Sequence, residues 1–414
     1  MNRHAVLTLL SVTLLFAAFG LPVEAATIVV PNGGSIQVGL DAAAPGDTVI
    51  VKAGLYVGDL SMTTADVALK GYGCGNSIIE GVATVPAASA PLAVPNIDIQ
   101  ADGARVTGFT IRSPAVAEDF YSSGMVVVGT NVEIDRNCFE AGTGAGSQAI
   151  QTWAFSNASS GLNDISGLRI HENKFTHRAP ATVASDPNAY EGVYINPQDG
   201  VIDAANPVVI ELNKFSGDMF RAVTVDARSF VVVAKNTMST SGVATAGFPT
   251  FPRGIQLTDN YAGLTTDLTV SRNTLLGPGL ATKFYWGIVL RNPVPAFTAV
   301  SFSTVVGNSL KNVASDKAIA VQGEFGFNSV VDNEVWDNPG DGIYVDGDTF
   351  LDRNHALRNG GVGIRAGIFN TLAGNVMKNN GVLNFKDDGG GTNVLAGNFC
   401  PLATSGLPIT DPCN

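Results

Sequence analysis

An asparagine recurs along this chain, at Asn137, Asn173, Asn213, Asn236, Asn273, Asn308, Asn333, Asn354, Asn375 and Asn398, and each closes a short β-type run. No other feature constrains the fold as tightly. The second residue after the Asn is apolar: Phe139, Phe175, Phe215, Met238, Leu275, Leu310, Val335, Ala356, Met377 and then Cys400. A second run, opening with a small residue and then a hydrophobic one, recurs at Gly124-Met125, Ala149-Ile150, Gly192-Val193, Ala222-Val223, Gly254-Ile255, Gly287-Ile288, Ala318-Ile319, Gly342-Ile343 and Gly363-Ile364, and less clearly at Val382-Leu383. Two strands and one Asn turn make a unit.

The tightest units, Asn333 to Asn354 to Asn375, repeat every 21 residues, a spacing at which self-similarity means a solenoid. The alternation in Ile343-Tyr344-Val345-Asp346 has the period of two of a strand, and no 3.6-residue stripe runs between the Asn turns, so the repeat is β and not helical. Copies of one strand stack only in parallel, and parallel strands need a crossover, here the rest of the coil, which is right-handed by the general rule. The expected fold is therefore an all-β, right-handed parallel β-helix of roughly 11–12 coils.

The Asn is expected at each turn because it tolerates the left-handed backbone conformation. Stacked coils would align these amides in a ladder about 4.8 Å apart, with the apolar residue two places on stacking Phe on Phe inside. Both columns are read as structural. Longer Asn spacings mark insertions, which in solenoids gather on one face, often the binding face. Gly142 to Asp164, Arg178 to Ala189, Ser239 to Pro252 and Tyr261 to Asp267 are the expected loops.

A solenoid exposes its core at its ends and needs caps. Ser35 is placed to N-cap a short helix with Ile36, Leu40 and Ala43 on one side. Residues 1–25 read as a secretory signal: Arg3 and His4, an apolar run from Ala5 to Leu21, and a Val23-Glu24-Ala25 cleavage site. Residues 26–414 are expected to form one β-helix domain, with 27–81 as the cap and first coils, 82–399 as repeated coils and 400–414 as the C-terminal cap. The expected location is periplasmic or extracellular, without a membrane span. Cys400 and Cys413 bracket a tail that a disulfide would staple over the last coil, whereas Cys74 and Cys138 are read as a free or loosely placed pair.

The stretch from Ser35 to Gly81, SIQVGLDAAAPGDTVIVKAGLYVGDLSMTTADVALKGYGCGNSIIEG, resembles the opening of secreted right-handed β-helix proteins of the pectinesterase-like, pectate-lyase-like and NosD-like kind. Through the strand-Asn units the resemblance extends over almost the whole chain after the signal. It implies this fold and repeats of the carbohydrate-binding and sugar-hydrolase type. It does not imply an activity, because the catalytic signatures of pectinesterases, polygalacturonases, pectate lyases and alginate epimerases are absent from the sequence, and function lives in sites rather than folds.

Aligning the small-hydrophobic strands gives columns at fixed offsets on one sheet, every other residue facing out. The first outward column reads Gln151, Tyr194, Thr224, Gln256, Val289, Ala320, Tyr344 and Arg365; the second reads Trp153, Asn196, Asp226, Thr258, Arg291, Gln322 and Asp346; the strand entrance reads Glu191, Arg221, Arg253, Trp286, Lys317 and Asp341. Aromatics, amides and charges of both signs mix there, although only 14% of the chain is charged. A sugar polymer is bound by such a mixture, rings against its apolar faces and planar groups on its hydroxyls and carboxylates.

Tyr194, Arg221, Asp226, Arg253 and Lys317 are the catalytic candidates, and Trp153, Glu191, Asn196, Gln256, Arg291 and Gln322 the substrate-binding ones. On a uronate polymer, Arg would neutralise the carboxylate and ease removal of the neighbouring carbon-bound proton, with Tyr194, Lys317 or an Arg as acid or base, which is lyase or epimerase chemistry. On a neutral glycan, Glu191 and Asp226 would serve as a hydrolytic pair. The competing readings are rim ion pairs worth about 0–1 kcal/mol each and a non-catalytic adhesive, structural or NosD-like accessory protein.

Calcium is the one cofactor candidate, through Asp341, Asp346, Asp348 and Asp352, although their spacing does not match an EF-hand loop. His171, His177 and His355 fall on separate coils and suggest no transition-metal site. The net charge of −12 argues against nucleic acid. A polysaccharide is the expected partner and a monomer the expected state.

Overall fold

The computed structural model describes residues 24–82, 93–113, 121–140, 148–152, 164–176, 191–195, 204–217, 219, 221–226, 229–239, 253–258, 265–277, 284–291, 300–323 and 326–401. Their strands form three parallel sheets of 14, 12 and 12 strands. The first sheet begins at Thr27–Val30 and ends at Val394–Ala396, the second runs from Gly54–Val57 to Val376–Lys378, and the third from Leu60–Met62 to Leu383–Asp387. One coil visits each sheet once, as in Asn328–Val331, Glu334–Trp336 and Asp341–Gly347, before Thr349–Asp352 opens the next. This is the expected right-handed parallel β-helix.

The ten asparagines stand between the first and second sheets and form one unbroken ladder. Asn236 Oδ1 accepts from Asn213 N at 3.0 Å and Nδ2 at 3.1 Å, while Asn236 Nδ2 donates to Ile210 O at 2.9 Å and to Asn273 Oδ1 at 3.0 Å. The same pattern runs from Asn137 to Asn398. Each amide thus satisfies turn groups that water does not reach.

The left-handed residue of the turn, however, is the one before the Asn. Arg136, Glu172, Leu212, Lys235, Arg272, Asp332 and Arg353 hold φ between 51° and 57°, and Gly307, Gly374 and Gly397 take the equivalent place. The expectation that the Asn itself adopts this conformation is corrected: its role is the hydrogen-bonding side chain. Two further ladders were missed. Asn338, Asn359 and Asn380 line the corner between the second and third sheets, and Asn370 and Asn393 help to close the third corner.

Apolar side chains from all three sheets fill the interior. Phe139, Phe175 and Phe215 stack with centroids 4.9 and 4.5 Å apart and rings within 6° of parallel, the predicted column. The small residue opening each third-sheet strand leaves room for this stack: a Cβ at Gly192 would lie 2.5 Å from Ala222 O and 2.7 Å from Phe215 Cε1. At the first end, the helix Ile36–Asp41 is capped by Ser35, whose Oγ accepts from Val38 N at 3.3 Å, and it buries Ile36 and Leu40 against the first coils.

Cys74 and Cys138 are disulfide-bonded with Cα atoms 5.6 Å apart, which corrects their reading as free or loosely placed. The turn holding Cys74 climbs over the next coil: Gly71 N donates to Thr107 O, Gly73 N to Gly108 O and Gly75 N to Thr110 Oγ1. Cys400 is also disulfide-bonded; Cys413, residues 1–23 and most of the expected loops lie outside the described residues. Within the stretch Gly142 to Asp164, residues Gln148–Thr152 form a strand of the third sheet and not a loop. No helix among the described residues is long and apolar enough to cross a membrane.

Candidate functional site

The third sheet carries the predicted columns in the predicted register. Glu191, Arg221, Arg253, Trp286, Lys317 and Asp341 are successive cross-strand partners. Gln151, Tyr194, Thr224, Gln256, Val289, Ala320, Tyr344 and Arg365 form the second such row. Asp226, Thr258, Arg291 and Gln322 form the third. Trp153 and Asn196 lie outside the described residues.

These columns are not an open face. Glu191 is 2% exposed, Asp226 0%, Gln256 3% and Arg253 8%, whereas Tyr194, Arg221, Arg291, Lys317 and Gln322 are half-buried. The expectation of an exposed sheet is corrected. Strand alternation sets the direction in which a side chain points, not whether water reaches it. Burial makes each charge there more consequential, since desolvation disfavours ionised forms and weak screening strengthens their mutual forces.

Arg221 Nη1 donates to Glu191 Oε1 at 2.6 Å. Burial pushes the Glu191 carboxyl above its usual range; Arg221 and Arg253 oppose that shift, and Asp226 adds to it by repulsion. Burial, with the neighbouring guanidinium groups of Arg221 and Arg291, lowers Arg253 to about 9, and Arg291 is lowered by burial and by Arg221. Arg253 Nη1 also donates to Gln256 Oε1.

Trp286 is the centre of this group. Arg253 lies 4.8 Å from its ring centre, Arg291 5.5 Å and Lys317 5.9 Å. Its indole N–H donates to Asp316 Oδ2 at 2.8 Å, an oxygen that also accepts from Lys317 Nζ at 2.7 Å. With Val289 and Ala320 it forms a small apolar cluster separate from the main core. Further along, Tyr344 has Lys317 5.1 Å and Arg365 5.4 Å from its ring centre, and its hydroxyl donates to Asp346. On the other side, the Tyr194 hydroxyl donates to Asp226 Oδ2 at 3.3 Å.

The structure thus gathers Glu191 with Arg221, Tyr194 with Asp226, and Arg253, Arg291 and Lys317 around one ring. Trp286, Asp316 and Tyr344 were not among the sequence candidates. The register column already placed Trp286 between Arg253 and Lys317, which was the available signal for it; Asp316 lies off the columns and gave none.

The four calcium candidates do not converge. Asp341 Oδ1 accepts from Val362 N, Asp346 Oδ2 from Gly323 N, and Asp352 pairs with Arg353. No group of three or more potential metal ligands comes together among the described residues. His171 faces Glu133 at 2.9 Å.

No protein-family model matches the sequence, and no curated protein matches it. Among solved structures, the chain is similar to the catalytic unit of a thermostable GH87 alpha-1,3-glucanase from Streptomyces thermodiastaticus strain HF3-3, with a TM-score of 0.58 and 16% identity over 92% of this chain and 70% of that one. It is also similar to a mannuronic acid specific polysaccharide family 6 lyase from human gut microbiota, with a TM-score of 0.49 and 11% identity over 92% and 89%. A third similarity is to the A-module of a mannuronan C-5 epimerase from Azotobacter vinelandii, with a TM-score of 0.48 and 12% identity over 89% and 95%. At these identities the likeness is one of fold. By its three parallel sheets and its similarity to the glucanase unit, the chain is a right-handed parallel β-helix protein.

Proposed function

We propose that this protein is an exported carbohydrate-active β-helix protein that binds a uronate-containing polysaccharide on its third sheet and removes the proton beside the sugar carboxylate, as a lyase or an epimerase. The observation that carries this reading is the set of three cations, Arg253, Arg291 and Lys317, around the Trp286 ring, next to the Tyr194–Asp226 pair. The buried ring holds the three cations together. The cations neutralise the sugar carboxylate and stabilise the charge that develops on it when the neighbouring carbon loses a proton.

Tyr194 takes that proton and passes its own to Asp226 Oδ2, to which it already donates. In elimination, the electron pair left on carbon forms a carbon–carbon double bond as the bond to the glycosidic oxygen breaks. Glu191, whose carboxyl burial favours the protonated form, supplies the proton to that leaving oxygen. In epimerisation no bond to oxygen breaks, and a proton returns to the carbon from the opposite face. Glu191 and Asp226 also support a second reading, hydrolysis of a neutral glycan with Glu191 as acid, because burial and the repulsion of Asp226 both shift the Glu191 carboxyl upward.

The test is incubation of purified protein with uronate and neutral polysaccharides, following unsaturated ends by ultraviolet absorbance and new reducing ends in parallel. Unsaturated ends support elimination, and reducing ends alone support hydrolysis. No product and no retained glycan on any polymer overturns both, in favour of an adhesive or accessory role.

A further inference from the structure

Buried side-chain atoms that lack a hydrogen-bond partner concentrate on the third sheet. Gln148 Oε1, Gln151 Oε1, Glu191 Oε2 and Thr224 Oγ1 are all in this state, on residues no more than 3% exposed. They are neighbours by register: Gln148 pairs with Glu191, Gln151 with Tyr194, and Tyr194 with Thr224. Adjacent strands lie about 4.8 Å apart, so these residues lie on three successive coils of one sheet. Each of the four atoms is a buried oxygen whose hydrogen bond is left unmade, which costs stability in the empty protein.

The charge around this patch differs from the charge around Trp286. The third-sheet strands Ala93–Ile99, Tyr121–Val127 and Gln148–Thr152 contain no Lys or Arg, and Asp98 is their one ionisable carboxylate. Beginning with Arg221, the succeeding strands carry Arg253, Arg291, Lys317, Arg365 and Lys386. The sheet is therefore polarised along the helix axis. A carboxylate placed beside Gln151 would meet no Lys or Arg on its own strand or on either adjoining one, Tyr121–Val127 and Glu191–Ile195, whereas sugar hydroxyls would supply the missing donors.

We propose that Gln148, Gln151, Glu191 Oε2 and Thr224 form a subsite for an uncharged, hydroxyl-donating sugar unit, so that the site takes a polymer in which a neutral sugar adjoins an acidic one. This deepens the preceding reading and rests on it. The unmade hydrogen bonds of the empty protein are completed by the ligand, and the stability they cost is recovered on binding.

Thr224→Val and Gln148→Met keep the side-chain shape and remove the orphaned acceptor. Titration calorimetry of wild type and both variants would use three probes: galacturonate hexamer, glucose hexamer, and gellan fragments, in which one glucuronate is joined to neutral sugars. The expected result is tightest binding of gellan fragments by wild type, weakened about five-fold by each substitution, with galacturonate binding unchanged. The melting temperature of the ligand-free variants is expected to stay level or rise, which a merely structural role would not produce. If the variants bind gellan fragments as wild type does, or melt lower, the subsite is overturned while galacturonate binding still supports the cationic patch. If no probe binds, both readings fall.

Discussion

The Arg253 guanidinium sits 4.8 Å from the centre of the Trp286 ring, on adjoining strands in direct register. Its surroundings disfavour its charge. Arg253 is largely out of water and has Arg221 and Arg291 as electrostatic neighbours, so the ring face and the carboxylate of Glu191 are what oppose its desolvation. A bound carboxylate would complete the balance.

The pH dependence of binding follows. The empty site lowers Arg253 to about 9, and a bound anion raises it again, so binding takes up a proton above that value. Affinity for a uronate polymer should be full below about pH 9 and fall by up to about ten-fold per pH unit above it. Calorimetry across that range checks the slope, and Arg253→Met should flatten it.

Arg221→Ala should cost about 3 kcal/mol, because it strips the partner from a carboxyl that is 2% exposed. The folded-state value of Glu191 is already raised and would rise further, so its protonated form fits the fold better than its charged form. The loss should therefore be smallest at acid pH and grow as pH rises through the carboxylate range. Urea melts at two pH values measure this, and adding Glu191→Gln should restore part of the loss.

The Asn ladder gives a larger structural prediction. Asn273→Ala removes the acceptor of Asn236 N and Nδ2, at 2.9 and 3.0 Å, and the donor to Val233 O at 2.8 Å. With several buried groups left unpaired, a loss of about 3 kcal/mol is expected in chemical denaturation. An exposed substitution such as Lys235→Ala, one residue before Asn236, should change little by comparison.

The Cys74–Cys138 bond closes a separation of 64 residues. By the chain-entropy account its removal as Cys74→Ser should cost about 4 kcal/mol. Urea melts of that variant beside wild type, both without reductant so that the Cys400 bond stays intact, measure this.

The fold was legible because it is written as a period. Asn, the apolar residue two places on and the small-hydrophobic pair fixed strand register so well that Arg221, Arg253, Trp286 and Lys317 align as expected. The same reasoning misplaced the left-handed residue, because Asn is known for that conformation and the true occupants, among them Leu212 and Lys235, are not. The Cys74–Cys138 bond was hidden because it reaches over an intervening coil, a contact no single period encodes. Side-chain direction was readable in the third sheet, but burial was not. Accessibility depends on how the whole chain folds around a strand, and so the site's most informative property, buried charge against an aromatic ring, required the structure.

The most direct test of proton removal beside the carboxylate is hydrogen exchange at that carbon. A uronate polymer incubated with the protein in deuterated water and examined by nuclear magnetic resonance should gain deuterium there or develop unsaturated ends, and Asp226→Asn and Arg253→Ala should each abolish the signal while leaving the protein folded. Polymer that binds to wild type yet shows neither deuterium nor unsaturation, or variants that retain the wild-type signal, would contradict the account.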